Sequence, residues 1–193
     1  MVTFLFPSIL IIIIGAVFFS IKLKKDKISK LYFFYGIVFS VYIASLISLT
    51  LFPFPYQQEL INDVIEENYG EVNNFTPFKA FVESFSTPIN REALTHLVQN
   101  ILLFLPLGFI LPIFFVRIKK ISIVFIGFMV SLTIETLQLL GGLYIGYNYR
   151  SFDVDDLILN TLGTAVGVLM FIILSKFLRK ADLLENKKVT IKA

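Results

Sequence analysis

The chain has no cysteine and no tryptophan, a single histidine, and little charge: Asp, Glu, Lys and Arg make up 16% of its 193 residues. Without cysteine there is no disulfide, no thiolate nucleophile and no Cys-ligated metal, and one histidine excludes a multi-His zinc centre. Soluble domains carry about 25% charged and about 45–50% apolar residues. Here 56% of residues are hydrophobic, 22 are Phe, and the mean hydropathy is +0.82. That balance belongs to an all-α protein, a polytopic bundle of transmembrane helices. The net charge of +3 is too small to signal a nucleic-acid partner.

Apolar runs of about 18–23 residues predict five spans, at Phe4–Ile21, Leu31–Phe52, Leu94–Val116, Ile121–Leu140 and Leu157–Phe177. The first lacks a basic stretch before it and is followed by lysines, which suits an uncleaved anchor better than a signal peptide. The connections carry the orientation. Lys22, Lys24, Lys25, Lys27 and Lys30 follow span one, and Arg117, Lys119 and Lys120 follow span three. The tail adds Lys176, Arg179, Lys180, Lys187, Lys188 and Lys192, so fourteen of seventeen basic residues share one side. Only Lys79, Arg91 and Arg150 lie opposite. By the positive-inside rule the crowded side is cytoplasmic, with the N-terminus outside and the C-terminus inside. The chain divides into an N-terminal anchor with its Lys-rich loop (1–30), a membrane domain (31–178) and a basic cytoplasmic tail (179–193).

The long outer segment, Pro53 to Ala93, predicts short surface helices. Tyr56–Tyr69 places Glu59, Asp63, Glu66 and Glu67 against Leu60, Val64 and Ile65. Phe78, Phe81, Val82 and Phe85 recur at helical spacing and need burial, which suits a helix lying on the membrane. Between them Asn74-Phe75-Thr76-Pro77-Phe78 reads as a turn, because Pro77 biases Thr76 away from helix. Asn74-Phe75-Thr76 is also a formal glycosylation triplet, of a kind common by chance.

Polar side chains then converge at one depth. Span three opens with His96, Gln99 and Asn100, of which His96 and Asn100 share a face with Leu103 and Leu107. Ser131, Glu135 and Gln138 follow one another at i, i+4, i+7 in the outer half of span four. Glu135 lies roughly 7–8 Å below its end at 1.5 Å per residue. Asp153, Asp156 and Asn160 make an i, i+3, i+7 stripe where span five enters, below Arg150. Charge at membrane depth costs at least ~2.5–3.5 kcal/mol per group. A constellation of both signs exceeds what a helix lock requires, so these residues predict a polar pocket under the outer surface. For Ser131 and Gln138 interhelical hydrogen bonding is an equal reading, and His96 is as readily a solvated interfacial residue. Other features read as architecture: Gly163 and Gly167 permit close helix approach, Pro106 and Pro112 kink or break span three, with Gly108 adding freedom, and Gly141-Gly142 caps span four.

These motifs resemble the VanZ-like family. The resemblance rests on Asn100-Ile-Leu-Leu-Phe104-Leu-Pro106-Leu-Gly108 with Pro112, on Glu135-x-x-Gln138, and on Arg150-x-x-Asp153-x-x-Asp156-x-x-x-Asn160-Thr-x-Gly163-x-x-x-Gly167. Asn74-Phe75-Thr76-Pro77-Phe78 is similar to the family's outer-loop motif, and the likeness covers about residues 32–178. Gln99 and Thr164 stand where the family often has Gly, which bears on helix packing. The resemblance implies a multi-pass protein of the bacterial cytoplasmic membrane. Its founding member is associated with resistance to the glycopeptide teicoplanin without remodelling of cell-wall precursors. It names no reaction.

Two functions follow as expectations. The first is an accessory or binding protein of the cell envelope, whose outer pocket engages a membrane lipid, a lipid-linked cell-wall precursor or an amphiphilic glycopeptide. Arg150 would pair a phosphate or carboxylate, Asn100, Gln138 and Asn160 would hydrogen-bond polar groups, and Asp153 and Asp156 would orient Arg150 or bind a cation carrying the phosphate. Glu135 and His96 complete the candidate ligand-binding set. The alternative is an intramembrane enzyme acting on a lipid-linked substrate, with Glu135, Asp153 and Asp156 as candidate catalytic residues. No resident metal or cofactor is expected. A transporter fits poorly, since the sequence has no repeated half.

Overall fold

A computed structural model of the chain describes residues 4–66, 72–86 and 90–184. Seven α-helices account for its regular structure, with no strand among the described residues: α1 (Leu5–Lys24), α2 (Lys30–Leu51), α3 (Gln58–Glu66), α4 (Lys79–Ser84), α5 (Arg91–Phe114), α6 (Lys120–Ile145) and α7 (Val154–Lys180). Five of them, α1, α2, α5, α6 and α7, are long and apolar enough to cross a membrane. The ends of the expected acidic helix (residues 67–69) and of the basic tail, with Lys187, Lys188 and Lys192, lie outside the described residues.

Short connections make α1 and α2, α5 and α6, and α6 and α7 antiparallel, while the long segment from α2 to α5 carries α3 and α4. One end of the bundle, here the loop end, receives α3, α4 and the α6–α7 connection. The other, the basic end, gathers Lys22 and Lys24 from α1, Arg117, Lys119 and Lys120 around the α5–α6 turn, and Arg179 and Lys180 from α7. Hydrogen bonds across the bundle agree with this alternation. Tyr32 Oη donates to Ile113 O (3.1 Å) at the basic end and Tyr42 Oη to Leu103 O (2.9 Å) midway. Gln138 Nε2 donates to Thr50 O (2.9 Å) at the loop end.

The core is built from α2, α5, α6 and α7, where Leu46, Phe104, Leu107, Leu111, Ile123, Ile134 and Val168 are buried together. The most extensive interface joins α5 and α7. It is glycine-lined: a Cβ on Gly163 would collide with the Ile101 carbonyl, one on Gly167 with that of Leu105, and one on Gly108 with that of Thr164. The Gly-xxx-Gly reading of Gly163 and Gly167 thus holds, whereas Gly108 serves close approach rather than freedom. Helix α1 stands at the edge with no buried residue and leans chiefly on α2, Gly15 against Ser40 and Gly36 against the Phe19 ring.

Of the two forms left open for span three, kinked or broken, the break is not found: Pro106 and Pro112 lie inside one continuous α5. Each removes one backbone donor, and the surrounding helices hold the remaining turns in place. Gly141 and Gly142 do not end α6, which runs to Ile145 and terminates at Gly146 with φ 87°. The two glycines leave room for the returning chain instead, a Cβ on Gly141 meeting the Tyr149 ring and one on Gly142 meeting Asn148. Gly146 takes the left-handed conformation that ends the helix.

Candidate functional site

The start of α7 organises the loop end. Asp153 is its N-cap, and Oδ1 accepts the Asp155 N–H at 2.7 Å. The same oxygen accepts Asn74 Nδ2 at 2.8 Å. Asn74 and Asp153 form a one-residue parallel bridge, in which the Asn74 N–H reaches Phe152 O (2.8 Å) and the Val154 N–H reaches Asn74 O (3.0 Å). Asn73 Oδ1 accepts the Phe152 N–H at 2.8 Å, and the Phe75 and Phe152 rings stack 5.3 Å apart. Asn74 Oδ1 in turn accepts the Thr76 N–H (3.0 Å), which sets the turn expected before Pro77. A buried side chain with this many bonds is no glycosylation acceptor.

Asp155, 3% exposed, receives backbone N–H groups from Phe78 and from Ala80 (2.7 Å), and Asn74 Nδ2 at 3.4 Å. Its carboxylate therefore sits at the N-terminus of α4 while belonging to the first turn of α7, and negative charge is favourable at both helix ends. Glu135, 2% exposed, accepts the Asp153 N–H at 2.9 Å, so α6 joins the same network.

Lower down, Asn160 Nδ2 donates to Ser131 Oγ (2.9 Å) and ties α7 to α6. Asn160 Oδ1 and Gln138 Oε1 are buried acceptors without a hydrogen-bond donor among the described residues. Arg150 turns toward α2: its Nη2 donates to Phe52 O (3.0 Å) and Leu49 O (3.3 Å). With the Gln138 bond to Thr50 O, these contacts satisfy the carbonyls left open at the end of α2. Replacing Arg150 with alanine is expected to lower stability by about 1–2 kcal/mol, the cost of orphaning such acceptors. Thermal unfolding in detergent checks this, and an unchanged midpoint would remove Arg150 from the α2 cap.

The expected polar residues therefore fall into two groups. Glu135, Gln138, Arg150, Asp153 and Asn160 hold helices and backbone together. His96, Asn100 and Asp156 form a separate, more exposed cluster between α5 and α7. There Asn100 Nδ2 donates to Asp156 Oδ1 at 2.6 Å and lies 3.3 Å from His96 Nε2. His96 Nε2 is 3.6 Å from Asp156 Oδ1. An apolar cavity of about 350 Å³ runs between α4, α5 and α7. Leu97 and Ile101 line it, one position on from His96 and Asn100, as do Asp155, Ile158 and Leu162 of α7, under Phe78 and Phe81.

Asp155 and the side chains of Asn73 and Asn74 were not legible as site residues. The i, i+3, i+7 stripe of Asp153, Asp156 and Asn160 points Asp155 away from the polar face. A carboxylate on the lipid side of a span is costly, and that cost is the signal that it meets a partner. The described residues contain no group of three or more His, Asp or Glu side chains arranged to hold a metal ion.

A family model described as VanZ/LLP1 matches residues 39–175, from within α2 to near the end of α7. No curated protein and no solved structure matches the chain.

Proposed function

The chain belongs to the VanZ/LLP1 family, and from that premise we propose that it is a binding or accessory protein of the bacterial cell envelope. It is a multi-pass membrane protein, oriented in this reading with the loop end outside, because basic residues gather at the other end. The ligand is an amphiphile: a lipid-linked envelope precursor or an acylated glycopeptide of the teicoplanin type. The observation that carries this reading is the apolar cavity of about 350 Å³ between α4, α5 and α7, whose lining residues Leu97, Ile101 and Asp155 are the sequence neighbours of the paired His96, Asn100 and Asp156. An acyl chain would lie under Phe78 and Phe81, and a polar head would reach Asp156, Asn100 and His96. Ligand sites combine an apolar wall with a few polar groups in this manner.

The reading as an intramembrane enzyme is less well supported. Of its candidates, Asp153 accepts two hydrogen bonds, Glu135 accepts the backbone N–H of Asp153, and Asp156 accepts the Asn100 amide. Carboxylates so engaged serve structure better than proton transfer.

Native mass spectrometry of the detergent-extracted protein tests the proposal, with an acylated glycopeptide, the same glycopeptide without its acyl chain, and a polyprenyl-phosphate-linked sugar as probes. Asp156→Ala is expected to weaken retention of the preferred probe about tenfold, the worth of one charge-assisted hydrogen bond. Equal retention by wild type and variant, or indifference to the acyl chain, would overturn it.

A further inference from the structure

The basic end of the bundle holds a second cavity, of about 260 Å³, between α2, α5, α6 and α7. Two cations line it, Lys120 at the start of α6 and Arg179 in the last turn of α7, together with Ser175 and the Tyr32 side chain. No Asp or Glu is among the described lining residues, and neither cation forms an ion pair among the described residues. The Lys120 ammonium lies 4.9 Å from the Phe171 ring centroid, an apolar wall that keeps it from full solvation. Helix α6 begins there without a side-chain cap, so its open N–H groups add partial positive charge.

The chain beyond α7 closes this end. Leu183 N–H returns to Leu178 O (2.8 Å), Tyr35 Oη donates to Leu183 O (2.8 Å), and Leu184 is buried against the cavity. The opposite rim is open. Val116 and Ile172, both about half exposed, carry the wall onto the apolar outer surface of the bundle.

We propose that this cavity binds a phosphate anion, presented either by the headgroup of a membrane lipid or by a soluble phosphate. Two like charges lining one cavity, Lys120 half-buried and Arg179 exposed, favour an anion between them, and Arg matches phosphate geometry with paired donors. Basic pockets between transmembrane helices take anionic headgroups in this way. The rim formed by Val116 and Ile172 gives a lipid chain a path that a soluble anion does not use. This site is independent of the amphiphile site at the loop end.

The test uses native mass spectrometry of the full chain in detergent with three probes: dioctanoyl phosphatidic acid, dioctanoyl phosphatidylcholine and inorganic phosphate. Phosphatidic acid is expected to be retained one to one, and phosphatidylcholine not. The double variant Lys120→Gln/Arg179→Gln should weaken that retention about 30-fold, the effect of two basic residues near an anionic surface. The charge-preserving Lys120→Arg/Arg179→Lys should keep most of it, which separates lost charge from lost folding. Retention of inorganic phosphate at equal strength, lost in the same neutral variant, would assign the site to a soluble anion. Failure to retain either anion, or retention unchanged in the neutral variant, overturns the proposal. Binding of the amphiphile probes in the neutral variant should stay at the wild-type level.

Discussion

Replacing Asp155 with alanine should destabilise the protein by about 3–4 kcal/mol, among the larger effects a single substitution produces. The carboxylate accepts the backbone N–H groups of Phe78 and Ala80 and the Asn74 amide while almost wholly buried. Removing it strands the Phe78 and Ala80 N–H groups, while Asn74 Nδ2 keeps its bond to Asp153 Oδ1, and each stranded buried group costs about 1–3 kcal/mol, less whatever water recovers. Water entering beside Phe78 should recover part of that. The expected result is a lower thermal midpoint in detergent and faster protease cleavage within residues 72–86. Asp155→Asn keeps one acceptor oxygen and should fall between the variant and wild type. A midpoint shift for the alanine variant no larger than that of an exposed control such as Glu59→Ala would show that the loop is held by something else.

The second large effect is expected at the α5–α7 contact. Gly163→Val should cost about 2–4 kcal/mol, because the new side chain meets the Ile101 carbonyl, part of a helix backbone, and no rotamer change relieves it. The helices must separate, and that strips the neighbouring contacts of Gly108 with Thr164 and of Gly167 with Leu105. Loss of monodisperse protein on extraction, or a strongly lowered midpoint, is the readout. Gly141→Ala makes the contrast. Its Cβ would approach the Tyr149 ring at 2.8 Å, and a ring can turn aside. That variant should lose less than about 1 kcal/mol. If both substitutions cost the same, backbone proximity is not what joins α5 to α7.

Which parts of this arrangement were readable follows from the range of the forces involved. The spans α1, α2, α5, α6 and α7 were legible within a few residues at most ends, since a long apolar run has one low-energy state in lipid, a helix. The end of α6 was misplaced because Gly141 and Gly142 carry a turn signal that packing overrode. At the site, helical spacing gave His96 and Asn100 a common face and put them at the level of Asp156, while their pairing with it came from the packing of α5 on α7. The turn of Arg150 toward the end of α2 was not legible, because Leu49 and Phe52 are about a hundred residues away in the chain.

The amino-acid sequence by itself determined that this is a helical membrane protein of five spans with its basic residues at one end, and that Glu135, Asn100, Asp153, Asp156 and Asn160 lie near one level. Those properties depend on transfer energies and on the periodicity of a single helix, both local. Only the tertiary structure decided which polar groups are taken up by backbone and which meet other side chains. Asp155 was drawn under α4, Asp153 and Glu135 onto the start of α7, and Asp156 was set against Asn100 and His96 of α5. The reason is physical: in a site closed to water each buried donor takes whatever acceptor the fold brings near, and the partners of these carboxylates come from Phe78, Ala80 and Asn74, remote in sequence.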